Sequence, residues 1–550
     1  KEKREKKEKR EKRDKRDKGE EGKGKSEKKS DGKGKERESK SRSKKAKGKG
    51  GEKEGKQEKK EKDEHKLKEG VDDSYLIESK DLKYEEALGE GSDAVVYKGK
   101  LYGKEVAIKK FHRQEVEQSI LDDLVNEIKI LSKLHHPNVL LLIGVCVEVG
   151  NVAIVTELMV GSLFSLLHSE SSPPPPLRTR LKYAADVCLG MAYLHRPNST
   201  VLHRDLKALN LLVDKNGTLK VGDFGISQMN ASREGQDPFL GSTAWLSPEV
   251  FRGEEYTTKC DVYSFGVVLW EILTCEIPWK GLNSAIIVMK VGKKHERPEI
   301  PETCTPRLKD LIERCWNADP KERPPFSEIL PEIRLCIIEA SVFDPVGREF
   351  WSTNFADLDE VAFDQFWQHF KKTFHVYTHE IGIECFRVVN DPVTLESFNK
   401  CLSFFGPLEP KGQEFVDRIV NMCEKPYFHG DIGKEEAVKL LGRQKKAGSF
   451  LVRFSGTQHQ EGLGNYALSM KKKHGGGVSH IRLTGGGGTV CDNLERFIKL
   501  NKKELGLKHA CPGSRYAYIF KKEEEVVLTG YEYTNAFDMG GDNLKVDKKK

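Results

Sequence analysis

His203-Arg204-Asp205-Leu206-Lys207-Ala208-Leu209-Asn210 is followed, thirteen residues after its last member, by Asp223-Phe224-Gly225. Moving a phosphoryl group to a hydroxyl needs a carboxylate to take the proton, and Asp205 can do so. It also needs oxygen ligands for magnesium. Asn210 offers an amide oxygen five residues on, and Asp223 adds a carboxylate. A DFG tripeptide alone is a common turn, so the order and spacing of the whole set carry the reading.

Upstream, Gly89-Glu90-Gly91-Ser92-Asp93-Ala94-Val95-Val96 lies between a strand-like run and the strand VVYKGKL. Glycines there let backbone close over a triphosphate with no side chain intervening. Eighteen residues after Gly91, the strand Val106-Ala107-Ile108-Lys109 ends on a lysine within reach of those phosphates. Apolar residues at helical spacing over Ile120–Leu134 (Leu121, Leu124, Ile128, Leu131) predict a helix, and Glu127 on it is the natural ion-pair partner of Lys109.

Together with Ser247-Pro248-Glu249, Asp261-Val-Tyr-Ser-Phe-Gly266 and Arg323, these residues resemble the protein kinase signature set. The resemblance implies a two-lobed fold with Mg2+ and ATP in the cleft and protein substrates. By it, Asp205, Lys109, Glu127 and Lys207 are catalytic, Asn210 and Asp223 hold the metal, and Glu249 is braced by Arg323. The same resemblance gives the nucleotide the loop from Gly89 through Tyr97, with Lys109, the small Thr156 at the back of the pocket and Met159 in a hinge Glu157-Leu158-Met159. Lys207 within HRDLKALN resembles the serine/threonine pattern. Gly241-Ser242-Thr243-Ala244-Trp245-Leu246-Ser247-Pro248-Glu249 resembles the tyrosine-kinase-like (TKL) branch, with Ser242 and Ser247 as departures. The loop from Asp223 to Glu249 contains no Tyr, and Ser232 followed by Thr243 are its phosphosite candidates.

Phe428-His429-Gly430 and Gly448-Ser449-Phe450-Leu451-Val452-Arg453-Phe454-Ser455 open a second unit. Strand alternation puts Phe450, Val452 and Phe454 on one face and Leu451, Arg453 and Ser455 on the other. An arginine midway along an apolar strand is costly unless an anion pairs with it, and a planar guanidinium suits phosphate. This unit resembles the Src-homology-2 (SH2) domain. The resemblance implies phosphotyrosine-containing partners, held by Arg453 with Ser455, Lys434 and His480. Lys434 and Ile481 depart from the residue types common at their positions. A kinase followed by an SH2 domain resembles the Shk group of SH2-bearing kinases, described as dual-specificity enzymes.

The expected fold class is therefore α+β multidomain: a two-lobed kinase over 82–337, a helical linker over 338–423, an SH2 domain over 424–522 and a C-terminal tail over 523–550. The linker is rich in aromatics (Trp351, Phe363, Phe366, Trp367, Phe370). It has an EF-hand-like helical texture but no D-x-D-x-D-G loop, which argues against calcium.

Residues 1–70 contain 32 Lys and Arg against 19 Asp and Glu, a net of +13. The whole chain is +8, so residues 71–550 carry −5. With almost no apolar side chain, the segment is expected to be a disordered, charged tail. Lysines four residues after Glu2, Glu5, Glu8, Glu11 and Asp14 leave a frayed helix over 1–18 as an alternative. Gly19 to Ser26 fits the P-loop pattern letter for letter, but no strand precedes it, and the match is accidental. The tail has no Phe, Trp or Tyr, and acids accompany its bases, so no specific nucleic acid is expected. Contact with an anionic membrane stays open.

Twelve cysteines without a CxxC pair suggest reduced thiols, with no zinc site and no disulfide framework. The longest apolar run, Val139–Val147, is too short to span a bilayer. A cytoplasmic location fits, with peripheral association at the inner membrane surface as an option. A pseudokinase adaptor is the rival of another class, and Lys109, Glu127, Asp205, Asn210 and Asp223 argue against it.

Overall fold

The computed structural model describes residues 72–91, 94–112, 128–129, 131–148, 151–197, 200–223, 242–377, 380–390, 392–455, 466–472, 477–483 and 490–520. The segment 1–70, Ser92, Asp93, Glu127, Ser232 and the tail 523–550 lie outside them, as does most of the helix expected over 120–134.

Val- and Ile-rich runs with period-two alternation form the first sheet: β1 (Leu82–Glu90), β2 (Ala94–Leu101), β3 (Lys104–Phe111), β4 (Leu142–Cys146) and β5 (Ala153–Glu157), in the order β1-β2-β3-β5-β4. Alternation sends Val106 and Ile108 into one core with Leu82, Leu101 and Val155, leaving Ala107 and Lys109 on the opposite face. Gly99 is required here, because a Cβ would collide with Ile108 and with the Lys83 carbonyl.

After β5 the chain crosses Leu158 and Met159, and helices dominate. In α1 (Leu177–Leu194), Leu181, Ala184, Cys188, Met191 and Leu194 recur at helical spacing and are buried. The helix begins directly after the proline run, which cannot continue backward as helix. It packs on α2 (Lys259–Thr274), which is buried on nearly every side, and on α4 (Phe326–Ser341), with α3 (Pro306–Cys315) beside α2. A small sheet of β6 (Gly161–Ser162), β7 (Leu211–Val213) and β8 (Leu219–Val221) lies on this layer and carries the Asp205–Asn210 and Asp223 segments at its ends.

Residues 345–405 form two helix–loop–helix units: α5 (Pro345–Phe355) with α6 (Phe363–Phe374), and α7 (Glu380–Asn390) with α8 (Leu395–Phe405). Their loops are joined by β9 (Glu360–Val361) and β10 (Val393–Thr394), in which Val361 opposes Val393. This is the paired-loop layout of an EF-hand unit, with Asp357, Asp359 and Glu360 in the first loop, but no metal-holding cluster of His, Cys, Asp or Glu occurs among the described residues. The aromatic stripe supplies the core. Phe350, Phe366, Phe370, Phe386 and Phe398 are buried against one another, each worth about 1.5–3 kcal/mol on burial. Helix α9 (Gln413–Glu424) then leads to the last unit.

There β11 (Phe428–Gly430), β12 (Ser449–Phe454), β13 (Tyr466–Lys471) and β14 (Val478–Leu483) form a sheet in that order, and β15 (His509–Ala510) also pairs with β12. On one face lies α10 (Lys434–Gly442), whose Ala437 and Leu441 meet Leu451. The other face buries Phe450, Val452 and Phe454 in the larger core, which includes Leu494 and Ile498 of α11 (Val490–Asn501). Among the described residues no helix is long and apolar enough to cross a membrane.

Candidate active site and phosphate pocket

Between the first sheet and the helical layer lies a cavity of about 420 Å³, within the range of small-ligand sites. Leu88, Gly89, Val96, Ala107, Leu142 and Leu212 give it apolar walls, Thr156 and Met159 stand at the β5 end, and Lys109 and Asp223 stand opposite. Of the loop residues expected to meet nucleotide, Gly89 and Val96 line it. Tyr97 does not. Neighbours along a strand face opposite ways, and Tyr97 packs edge-on against Tyr84, ring centroids 5.4 Å apart. Val95 shares that side, so these two residues would meet a nucleotide through backbone rather than side chain. Glu90 and Ala94 are paired with Val95 and Phe111 at the sheet edge. Ala107 and Leu212 went unnoticed in the sequence. Each stands two residues from a recognised position, Lys109 and Asn210, and so shares its direction.

Lys109 Nζ lies 2.5 Å from Asp223 Oδ1. Burial works against the Asp223 charge, but Lys109 outweighs it and holds the carboxyl below its ordinary value. Asn210 Nδ2 donates to the backbone carbonyl of Asp205 at 2.8 Å and to Asp205 Oδ2 at 2.9 Å. The Asn210 carbonyl accepts from Gly222 N at 2.9 Å, fixing the residue before Asp223. Lys207 Nζ sits 2.8 Å from Asp205 Oδ2 and donates to Ser242 Oγ at 2.7 Å. Arg204 (φ 67°) and Asp223 (φ 53°) adopt left-handed backbone, which non-glycine residues keep only when their surroundings impose it. Asp261 imposes it on the first. Fully buried, it accepts from His203 N at 2.9 Å, Arg204 N at 2.8 Å and His195 Nε2 at 2.9 Å. Burial raises its pKa, but the His195 bond and nearby histidines bring it below the ordinary value. Glu249 and Arg323 form a buried two-pronged pair at 2.7 and 2.9 Å. Thr243 is buried and donates to Ser284 Oγ at 3.1 Å. In this arrangement its hydroxyl faces Ser284 rather than solvent.

In the second unit Arg453 is 8% exposed. Its Nη1 donates to the Phe454 carbonyl at 2.9 Å, while its Nε is buried with no acceptor among the described residues. Burial lowers its pKa. Across the sheet Arg453 opposes Ala467, and Leu451 opposes Ser469, which in turn opposes His480. His480 Nδ1 is 2.8 Å from Ser469 Oγ, and its pKa is lowered by burial, then by Arg453 and Lys434. Arg453, His480 and Lys434 are thus gathered on one face, with Ser455 half-buried at the strand end. An orphaned buried guanidinium nitrogen, with the Lys434 ammonium on the same face, suits an oxyanion. Gly430 (φ 64°) opens the unit where a Cβ would strike the Tyr516 hydroxyl.

Two family models match the chain: protein tyrosine and serine/threonine kinase over residues 82–333, and SH2 domain over 427–502. The dual specificity protein kinase shkA of Dictyostelium discoideum is 35% identical over 497 residues, spanning 83% of this chain and 92% of the relative. The chain belongs to the Shk family of SH2-bearing protein kinases. A second Dictyostelium discoideum relative, the dual specificity protein kinase shkC, is 36% identical over 74% of this chain and 85% of its own length. The probable serine/threonine-protein kinase SIS8 of Arabidopsis thaliana is 43% identical over 251 residues, 45% of this chain and 24% of the relative. This Shk-family kinase is therefore a phosphotransferase of the class that uses ATP and typically Mg2+, joined to a domain of the class that binds phosphotyrosine.

Proposed function

We propose that this kinase phosphorylates mainly serine and threonine of protein substrates and is recruited by its SH2 domain to tyrosine-phosphorylated partners. Bound Mg-ATP supplies the phosphoryl group and the charge that neutralises its transfer. Asp205 accepts the proton of the incoming hydroxyl, and Asn210 and Asp223 offer oxygens to the metal. Lys109 reaches toward the phosphates, with Glu127 as its partner, and the backbone from Gly89 to Val96 covers them. The oxygens of Asn210 and Asp223 are the hard donors magnesium takes, and the Lys109 cation beside Asp223 suits phosphate. We divide the chain into the kinase (82–337), the helical segment (338–423) and the SH2 domain (424–522), and keep Ser232 as the activating phosphosite, to be paired by Arg204.

The observation that carries the serine/threonine reading is Lys207, poised between Asp205 and Ser242. It places a cation where charge develops as the hydroxyl attacks. Dual specificity is the second reading, favoured by the names of the Shk relatives. Recruitment rests on Arg453, with Ser455, His480 and Lys434 as further phosphate contacts. Recruitment to tyrosine-phosphorylated partners would hold the kinase in the cytoplasm against the inner membrane surface. Calorimetry of the full chain with phosphorylated and unphosphorylated tyrosyl peptides tests it. Binding confined to the phosphorylated form is expected, and equal affinity for both would remove the recruitment role.

A further inference from the structure

Helix α8 ends beneath the strand that carries Arg453. The Phe404 ring, 4% exposed, stacks on Phe454 with centroids 3.8 Å apart and planes 18° from parallel. It also meets Tyr466, at 5.4 Å. Tyr466 Oη donates to the Phe404 carbonyl at 3.0 Å. Phe454 and Tyr466 oppose each other in the register, so Phe404 grips the ends of β12 and β13 together. Around it, Phe405 lies 6.0 Å from Phe454, and Lys400 Nζ stands 5.8 Å over the same ring.

These contacts occupy the face opposite Arg453, yet they bear on it directly. The Phe454 carbonyl is the acceptor that holds Arg453 Nη1, so any shift of Phe454 moves the guanidinium. A two-pronged grip on phosphate tolerates little displacement, because both N–H groups must point at their oxygens. Phe404 lies outside the stretch that matches the SH2 model, 427–502. At its other end α8 reaches the kinase, where Glu396 pairs with Arg178 of α1 at 3.1 Å, and within the helical segment Asn399 Oδ1 accepts from Phe343 N at 3.3 Å.

We propose that Phe404 of the helical segment is a positioning residue for the phosphotyrosine pocket, which helical segment and SH2 domain therefore build jointly. The inference rests on reading Arg453 as the phosphate ligand, and the test separates the two. The full chain is titrated, by fluorescence anisotropy, with a degenerate phosphotyrosyl nonapeptide pool and its unphosphorylated twin. Phe404→Leu keeps the apolar burial and loses the stacked ring. It should weaken binding of the phosphorylated pool roughly tenfold, the upper reach of one aromatic pair. Tyr466→Phe removes only the hydroxyl bond, leaves the core filled and should weaken binding less. In an Arg453→Leu background, Phe404→Leu should add nothing, because the group it positions is gone. A parent chain that discriminates between the pools, with Phe404→Leu and Tyr466→Phe binding as tightly as parent, overturns the inference alone. The same loss from Phe404→Leu with or without Arg453 does so too, since it would mark a general effect on folding. A parent chain that binds both pools equally overturns the reading of Arg453 and the inference with it.

Discussion

Lys109 of β3 and Asp223 on the far wall of the cleft are joined, Nζ to Oδ1, at 2.5 Å. One ion pair thus spans the sheet and the helical layer at the point where phosphates and metal would sit. Lys109→Met removes the cation and lets the Asp223 carboxyl return toward its ordinary pKa. Transfer from Mg-ATP should fall by at least about 10²-fold, the scale of losing one preorganised charge in such a site. Chelation of Mg2+ should abolish it. Steady-state rates with and without chelator check both, and a Lys109→Met enzyme at parental rate would contradict the pairing's role.

Lys207 divides its ammonium between Asp205 and Ser242. Ser242→Ala removes the neutral partner, so the lysine collapses toward Asp205 and mutes the proton acceptor. A fall of roughly tenfold in kcat with little change in KM for ATP is expected, since neither residue lines the nucleotide cavity. Ser242→Thr keeps the hydroxyl and should keep most of the rate. A loss confined to KM for ATP would contradict this placement.

Glu249 and Arg323 are buried together, and removing one partner strands a charge. Burial works against the Glu249 carboxylate, but the Arg323 hydrogen bonds and charge outweigh it and hold its pKa below the ordinary 4.5. A depressed carboxyl stabilises the fold above its unfolded pKa and loses that contribution as pH falls through the folded one. Arg323→Leu should therefore cost about 3–5 kcal/mol at neutral pH. The gap to the parent should narrow as pH falls, first as the stranded carboxyl, which burial alone holds above 4.5, takes a proton, and then through the parent's depressed pKa. Denaturant unfolding at both pH values measures it, and a gap independent of pH would contradict the pairing.

Arg453→Lys keeps a charge and loses the two-pronged geometry, whereas Arg453→Leu loses both. Affinity for phosphotyrosyl peptides should fall in that order, with leucine costing about 2–5 kcal/mol. Calorimetry gives the series directly. Indifference to Arg453→Leu would mean that phosphate recognition is absent.

The proposed catalytic set was legible because HRDLKALN and DFG fix chemistry at short spacing, and the structure joins Asn210 to Asp205 and to Gly222, the neighbour of Asp223. Arg453 was legible for a different reason: strand alternation alone sets its face. The direction of the Tyr97 side chain was not legible, because membership of a glycine-rich run says nothing about direction, which the β2 register decides. The burial of Thr243 against Ser284 was not legible, because a short polar residue gives no sequence sign of it. Phe404 could not be singled out at all. Periodicity marks it as buried, but only the meeting of α8 with β12 and β13 determines what it is buried against.

The most direct measurement is phosphate transfer from Mg-ATP to a degenerate peptide array by the purified chain and by its Asp205→Asn variant. The expected result is labelling mainly of serine and threonine peptides, lowered about 10²–10⁴-fold by Asp205→Asn. Labelling mainly of tyrosine would contradict the acceptor assignment. Parental rates in Asp205→Asn, Lys109→Met and Asp223→Asn alike would contradict the catalytic site itself.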